Sequence, residues 1–262
     1  MAPRLLVMGG GNLGTALVRG LLAAGWEPGS LVVAEADAAR RSALGAELPG
    51  TEVRVEPVAA AGVVVAVKPA DGEKACRSLA RVGVSRVVSV MAGVRLARVE
   101  SWLGPTVAAI RAMPNTPALV GAGVSAISGG SSAREEDLEW AEEVLGAVGQ
   151  VVRVPESSLD AVTGLSGSGP AYLFYVAEAM IEAGVAAGLS EPVSRALVLQ
   201  TFAGSARLLV ESGETPQVLR ARVTSPGGTT EAGLRALGDR DVAGAFTEAV
   251  ATAAERSREL GG

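Results

Sequence analysis

The sequence predicts an α/β domain built on a parallel sheet, followed by an all-α domain. Three observations lead there. Short β-branched runs alternate with helical patterns through the first half of the chain, and helical patterns alone continue after Pro155. With 262 residues, 48% of them apolar, the chain is also long enough for two packed cores.

The predicted strands are "RLLVMG" (4–9), "SLVVAE" (30–35), "GVVVAVKP" (62–69), "RVVSVMAG" (86–93) and "TVAAIRAMP" (106–114). Each is a short apolar run of the kind that a strand buried on both faces shows. The first helix places Leu13, Leu17, Leu21 and Ala24 on one face and stops at Gly25. "SSAREEDLEWAEEVLGAVG" is a helix with acids in its first turn, where they complement the positive helix end, and Gly149 after its last. "QVVRVPE" closes the sheet. "SGSGPAYLFYVAEAMIEAGVAAGL" then opens a helix at Pro170 that is apolar nearly all the way round, the pattern of a fully buried helix. "SEPVSRALVLQTFAGSARLLVESG" and "ETPQVLRARV" follow, with Ser190 and Thr215 as caps, and "DRDVAGAFTEAVATAAERSREL" is the last helix. The expected domains are 1–158 and 159–262.

Composition narrows the function. A net charge of −5 offers no footprint for nucleic acid or an anionic membrane. No apolar run reaches the length of a membrane span, and the N-terminal run is too short for a signal peptide. One cysteine, Cys76, permits no intrachain disulfide and no cysteine-based metal cluster, which points to a reducing cytoplasm. Histidine is absent, so no histidine-based metal site is expected and acid–base chemistry falls to other groups, water or the substrate itself.

"GGGNLG" supplies Gly9-x-Gly11-x-x-Gly14, right after a predicted strand and opening a helix. Gly9 allows the tight turn, Gly11 lets a pyrophosphate approach the backbone, and Gly14 lets the helix pack on the strand. Gly10, Asn12 and Leu13 complete the turn, and the helix N-terminus favours phosphate. In this strand–turn–helix setting the motif predicts a Rossmann-type dinucleotide-binding domain rather than an ordinary glycine-rich turn. About twenty residues past Gly14, Glu35 stands where an acid would hydrogen-bond the adenosine ribose and repel a 2′-phosphate. Arg40 and Arg41 point the other way if they face that phosphate. They say nothing if they are solvated charges in the first turn of a helix, and both readings stand. Ala66, Val67, Lys68 and Pro69, with Met91, Ala92 and Gly93, end later strands and should line the same cleft.

Three further stretches, "RAMPNTP" (111–117), "DAVTGLSGSGPAY" (160–172) and "VTSPGGTTEAGL" (223–234), give the chain a likeness to one family. Together with the glycine motif they strongly resemble pyrroline-5-carboxylate reductase, along essentially the whole chain. The resemblance implies reduction of 1-pyrroline-5-carboxylate to L-proline with NADPH or NADH. It implies a helical dimerisation domain, homodimers and decamers of five dimers. It also implies cofactor contacts at Gly9 to Gly14, Ala66 to Pro69 and Met91 to Gly93, and substrate contacts from Ser225 to Thr230. Many relatives carry Ser or Thr at the position of Glu35, and Asn near Glu56.

The substrate carries a carboxylate, and the loop contains no basic residue to receive it. Backbone N–H groups of Gly227, Gly228 and Thr229 are expected to form an anion-binding concavity at a helix N-terminus, with Pro226 restricting the turn. Thr230 is the candidate catalytic residue, donating to the ring nitrogen, and its other reading is a helix cap. Ser166 to Gly169 read as a hinge or as a close-packing segment. Asn115 and Thr116 read as nicotinamide contacts or as a turn, and Tyr172 and Tyr175 as core or interface residues. The rival readings are a related imine or 2-oxo acid reductase and a non-catalytic dinucleotide-binding module. The first is weakened because both lysines precede residue 80, leaving none in the helical domain.

Overall fold

The computed structural model describes residues 3–261. The chain forms two compact units, one running to Ser168 and resuming at Ala251, the other spanning Gly169–Val250. This division falls ten residues after the boundary expected at 158/159, and the last helix is shared between the units.

The first unit is built on eight strands: β1 Leu5–Met8, β2 Leu31–Ala34, β3 Glu52–Arg54, β4 Val63–Val65, β5 Arg86–Ser89, β6 Ala108–Met113, β7 Gly123–Gly129 and β8 Gly149–Arg153. They lie in the order β3-β2-β1-β4-β5-β6-β7-β8. The strand order reverses between β1 and β4, and this switch point opens the ligand crevice of a doubly wound sheet. Met8 pairs with Ala34 on one side and Val65 on the other, so the carboxyl ends of β2, β1 and β4 come level.

The sheet is not wholly parallel, as the sequence had suggested, because β7 runs antiparallel to β6. Only nine residues separate the two strands, five of them in a 3₁₀ turn at Thr116–Val120. That link is too short for the crossover that a parallel return needs.

Helices α1 Asn12–Ala23, α2 Ala38–Glu47, α3 Gly72–Val82, α4 Leu96–Leu103 and α5 Glu135–Gly146 cover the sheet. One core layer joins Leu17 and Leu21 of α1 with Trp140 and Val144 of α5 against Val7, Val33 and Val64. The other joins Cys76 and Leu79 of α3 with Leu96 and Val99 of α4 against Leu6, Val65 and Val87. Alternate residues of each strand feed opposite layers, which is why the strands read as continuous apolar runs. Cys76 is fully enclosed, and burial pushes its thiol up to about 12. A thiol so enclosed and held protonated is a poor nucleophile.

A short helix α6, Leu159–Val162, runs into a single π turn at Thr163–Gly167. The second unit holds α7 Gly169–Ala186, α8 Glu191–Glu211, α9 Pro216–Arg222, α10 Thr229–Gly238 and the first turns of α11 Val242–Gly261. Helices α7 and α8 meet where the Ser194 hydroxyl, against Gly184, donates to the Ile181 carbonyl at 2.8 Å. Ser190 and Thr215 occupy N-cap positions as expected, although only the Thr215 hydroxyl accepts a backbone N–H, that of Val218. In the single chain α7 is not buried: Phe174 and Tyr175 are 69% and 71% exposed. The all-round apolar pattern therefore describes a helix that one chain alone does not cover.

Candidate functional site

The turn after β1 is shaped by what cannot be there. Gly9 has φ +101°, and a Cβ on it would lie 2.6 Å from the Ala66 carbonyl oxygen at the end of β4. A Cβ on Gly14 would lie 2.1 Å from the Gly9 carbonyl oxygen, so α1 packs directly on the turn that precedes it. Gly11 is the exposed N-cap of α1, with open space where its Cβ would be. The amides of Asn12, Leu13 and Gly14 begin α1 and have no partner within the helix. A glycine cradle ending in free helix amides fits the pyrophosphate of a dinucleotide.

On the adenosine side the solvated-charge reading of the arginines does not hold. Glu35 bridges two backbone amides, its Oε2 accepting from Gly10 and its Oε1 from Asp37, each at 2.8 Å. Arg40 donates to the Gly10 carbonyl at 2.7 Å, to the Thr15 hydroxyl at 2.8 Å and to Glu47 at 2.7 Å. That bond from Arg40 is the main reason the Glu47 carboxyl sits below its usual range. Arg41 donates to the carbonyls of Glu35 and Ala36. Neither arginine is a merely solvated first-turn charge: Arg40 is tied to the glycine turn and Arg41 to the chain just after β2.

Along the other strand ends, the Ala66 amide donates to the Met8 carbonyl at 2.7 Å. Lys68 and Pro69 are exposed at the 3₁₀ turn that leads into α3. Pro69, Ala92 and Gly93 share a cavity of about 290 Å³ with Arg98, Trp102 and Leu260. The Met91 side chain does not join them: it is buried among the core residues with its sulfur against Gly72.

The second predicted site, Ser225 to Thr230, links α9 to α10. Gly227 has φ +69°, and Gly228 is the N-cap of α10. The two glycine amides expected to stand open are engaged: Gly227 donates to Glu231 Oε2 at 2.8 Å, and Gly228 donates to the Ser225 carbonyl at 3.0 Å. The amides left by the helix geometry are those of Thr229, Thr230 and Glu231, the first three residues of α10. Thr230 is not a cap. It is the second residue of the helix, exposed, and its hydroxyl has no hydrogen-bond partner among the described residues.

The whole chain aligns with 99% of a pyrroline-5-carboxylate reductase from Synechocystis at 43% identity. The chain belongs to the pyrroline-5-carboxylate reductase family. A reductase of the family from Mycobacterium tuberculosis is also 43% identical, over 98% of this chain and 96% of its own. Residues 156–260 match the family model "Pyrroline-5-carboxylate reductase dimerisation" and residues 4–93 match "NADP oxidoreductase coenzyme F420-dependent". Among solved structures, a pyrroline-5-carboxylate reductase from Coxiella burnetii superposes with a TM-score of 0.93 at 32% identity, each chain covered in full. The Plasmodium falciparum pyrroline carboxylate reductase, solved with NADP bound, gives 0.84 at 27% identity, over 99% of this chain and 98% of its own.

As a pyrroline-5-carboxylate reductase, the chain is an oxidoreductase with a self-association domain, and the exposed apolar faces of α7 and α8 lie in that domain. No helix among the described residues is long and apolar enough to cross a membrane, and no group of His, Cys, Asp or Glu among them could hold a metal ion. The motif stretches between the two sites have structural duties. Asn115 accepts from the Val124 amide at 2.9 Å and donates to the Ser166 carbonyl at 3.2 Å, which supports the turn reading. Gly167 lies where a Cβ would be 2.6 Å from the Met113 methyl, so the glycine-rich segment is closely packed there. Sequence reasoning missed Arg111. It is buried in β6 and donates to Glu156, which also accepts from the Leu96 amide at 2.7 Å. A lone arginine inside "TVAAIRAMP" was the signal, since a buried charge needs a partner.

Proposed function

We propose that the chain reduces 1-pyrroline-5-carboxylate to L-proline, the last step of proline biosynthesis, with NAD(P)H as reductant. The 43% identity along the full length of a named reductase carries this reading. When bound, the reduced nicotinamide supplies a hydride to the carbon of the substrate's C=N bond.

The chain's part is to bind, orient and hold a proton in place. Gly9 to Gly14 receive the pyrophosphate, Glu35 faces the adenosine ribose, and Ala66 to Pro69 with Met91 to Gly93 form the rest of the cofactor side. The turn of Ser225, Pro226, Gly227 and Gly228 leads the substrate carboxylate to the N-terminus of α10, where the free amides begin at Thr229 and the Gly227 amide joins them once Glu231 releases it. The ring nitrogen gains a lone pair as it becomes an amine, and the free hydroxyl of Thr230 donates to it. Solvent supplies the proton that the nitrogen retains, so no histidine is required. Most of the acceleration then comes from positioning two reactants.

Residues 1–158 serve the cofactor and 159–262 serve substrate and dimer formation. The assembly is a homodimer through α7 and its neighbours, five of which form a decamer, and the enzyme works in the cytoplasm. The test is oxidation of NADPH or NADH by purified protein with and without 1-pyrroline-5-carboxylate. Oxidation should require the cyclic imine, and equal turnover with open-chain 2-oxo acids would overturn the assignment.

A further inference from the structure

We infer that Glu231 is an internal competitor for the substrate carboxylate. The inference rests on the reading of Ser225 to Thr230 as the carboxylate-binding loop. Glu231 is the third residue of α10, and its Oε2 accepts from the Gly227 amide four residues back at 2.8 Å. The positive φ of Gly227 lets its amide turn toward the helix end, where the helix dipole favours a negative charge. The anion found there is a carboxylate of this chain, the same group that the substrate brings. Two carboxylates cannot share one exposed amide without repelling each other, so substrate binding requires the Glu231 side chain to leave.

What holds Glu231 is weak, as an exchangeable plug must be. It makes no ion pair among the described residues, and Arg222 of the preceding helix is committed to Glu214. Its hydrogen bond to the Gly227 amide lies at the surface. The competition acts equally on L-proline, which carries the same carboxylate. Glu231 thus raises the substrate concentration needed for half-saturation and hastens loss of product from the same loop.

The experiment compares the parent with Glu231→Ala, Glu231→Gln and Gly228→Val. It measures KM and kcat for 1-pyrroline-5-carboxylate, competitive inhibition by L-proline, and thermal unfolding. Glu231→Ala should lower KM and the L-proline inhibition constant together by about three- to sixfold, the gain expected when a weakly favoured closed state is removed. The change should fall on KM rather than kcat. Glu231→Gln retains an acceptor for the Gly227 amide without the charge, and should shift both constants the same way by less. Gly228→Val puts a Cβ where it would meet the Ser225 hydroxyl oxygen at 2.4 Å, and should raise KM. If Gly228→Val raises KM while neither Glu231 variant lowers it, Glu231 orders the loop instead of competing for it, and the inference fails. If Gly228→Val leaves KM unchanged, the reading of the loop itself fails.

Discussion

Gly14→Ala and Gly11→Ala separate the two duties of the glycine turn. At position 14 the added methyl would lie 2.1 Å from the Gly9 carbonyl oxygen and 3.2 Å from a Val7 methyl. Backbone cannot yield as a side-chain tip does, so α1 must withdraw by roughly 1 Å to restore van der Waals contact. Overpacking of this kind costs about 1–3 kcal/mol, offset by up to about 1 kcal/mol from alanine's better helix propensity. The melting temperature should fall by about 3–6 °C for a net loss near 1.5 kcal/mol in a unit of this size. The same withdrawal carries the first amides of α1 away from the pyrophosphate. Loss of one hydrogen bond to a charged group, about 1.5–3 kcal/mol, weakens dinucleotide affinity roughly ten- to a hundredfold. At position 11 a methyl meets nothing within 4 Å, so the melting temperature should barely move. Cofactor affinity should still drop, because the methyl occupies the pyrophosphate's approach. Fluorescence titration with NADPH and NADH, beside thermal unfolding by circular dichroism, reads both quantities. Normal affinity in Gly11→Ala would remove the pyrophosphate from this turn, and an unperturbed Gly14→Ala would refute the packing argument.

Four other outcomes follow from the structure. Thr230→Ala should lower kcat ten- to a hundredfold, about 1.4–2.7 kcal/mol at 1.36 kcal/mol per tenfold, with an unchanged melting temperature because the hydroxyl caps nothing; full kcat with a lowered melting temperature contradicts this. Glu35→Ser should raise the NADPH-to-NADH ratio of kcat/KM, and a constant ratio means that the carboxylate serves only the Gly10 and Asp37 amides. Light scattering at micromolar concentration should find at least a dimer, since exposed Leu173, Phe174 and Tyr175 need a cover; a monomer refutes it. Cys76 should resist thiol reagents at pH 8 until the protein unfolds. Its folded pKa, about 12, lies above the ordinary 9.0, so its contribution to stability is complete below pH 9 and declines as pH rises toward 12. Reaction in the native state, or stability flat across that window, would contradict burial.

The first unit was legible because apolar runs and glycine turns are local signals. Strand β7 was not: "GVSAISG" mixes small polar residues into its run, and its direction is set by a turn too short for a crossover. Strand β3 is three residues long with a charge at each end, as an edge strand often is, and no run marks it. Within the sites, residue types were legible and their bonds were not. Nothing in the spacing of Arg40 from Gly10 announces a hydrogen bond across thirty residues. The same holds for Glu231, whose charge was visible and whose partner was not. Helix α7 shows the opposite limit, for an apolar pattern tells that a face is covered and is silent on which chain covers it.

The sharing of α11 between the units has a consequence for a cleaved chain. Ala254 and Ser257 are buried in the first unit, and the Ser257 hydroxyl donates to Asp160 at 2.7 Å, closing a stretch of 97 residues that contains the whole helical unit. The helical unit is therefore an insertion, and neither of its ends is a free tail. A single protease cut in the exposed link between α8 and α9 would leave two polypeptides, each owning part of the first unit. The smaller fragment would keep its grip through Ala254 and Ser257, so the nicked protein should elute as one species and separate only in denaturant.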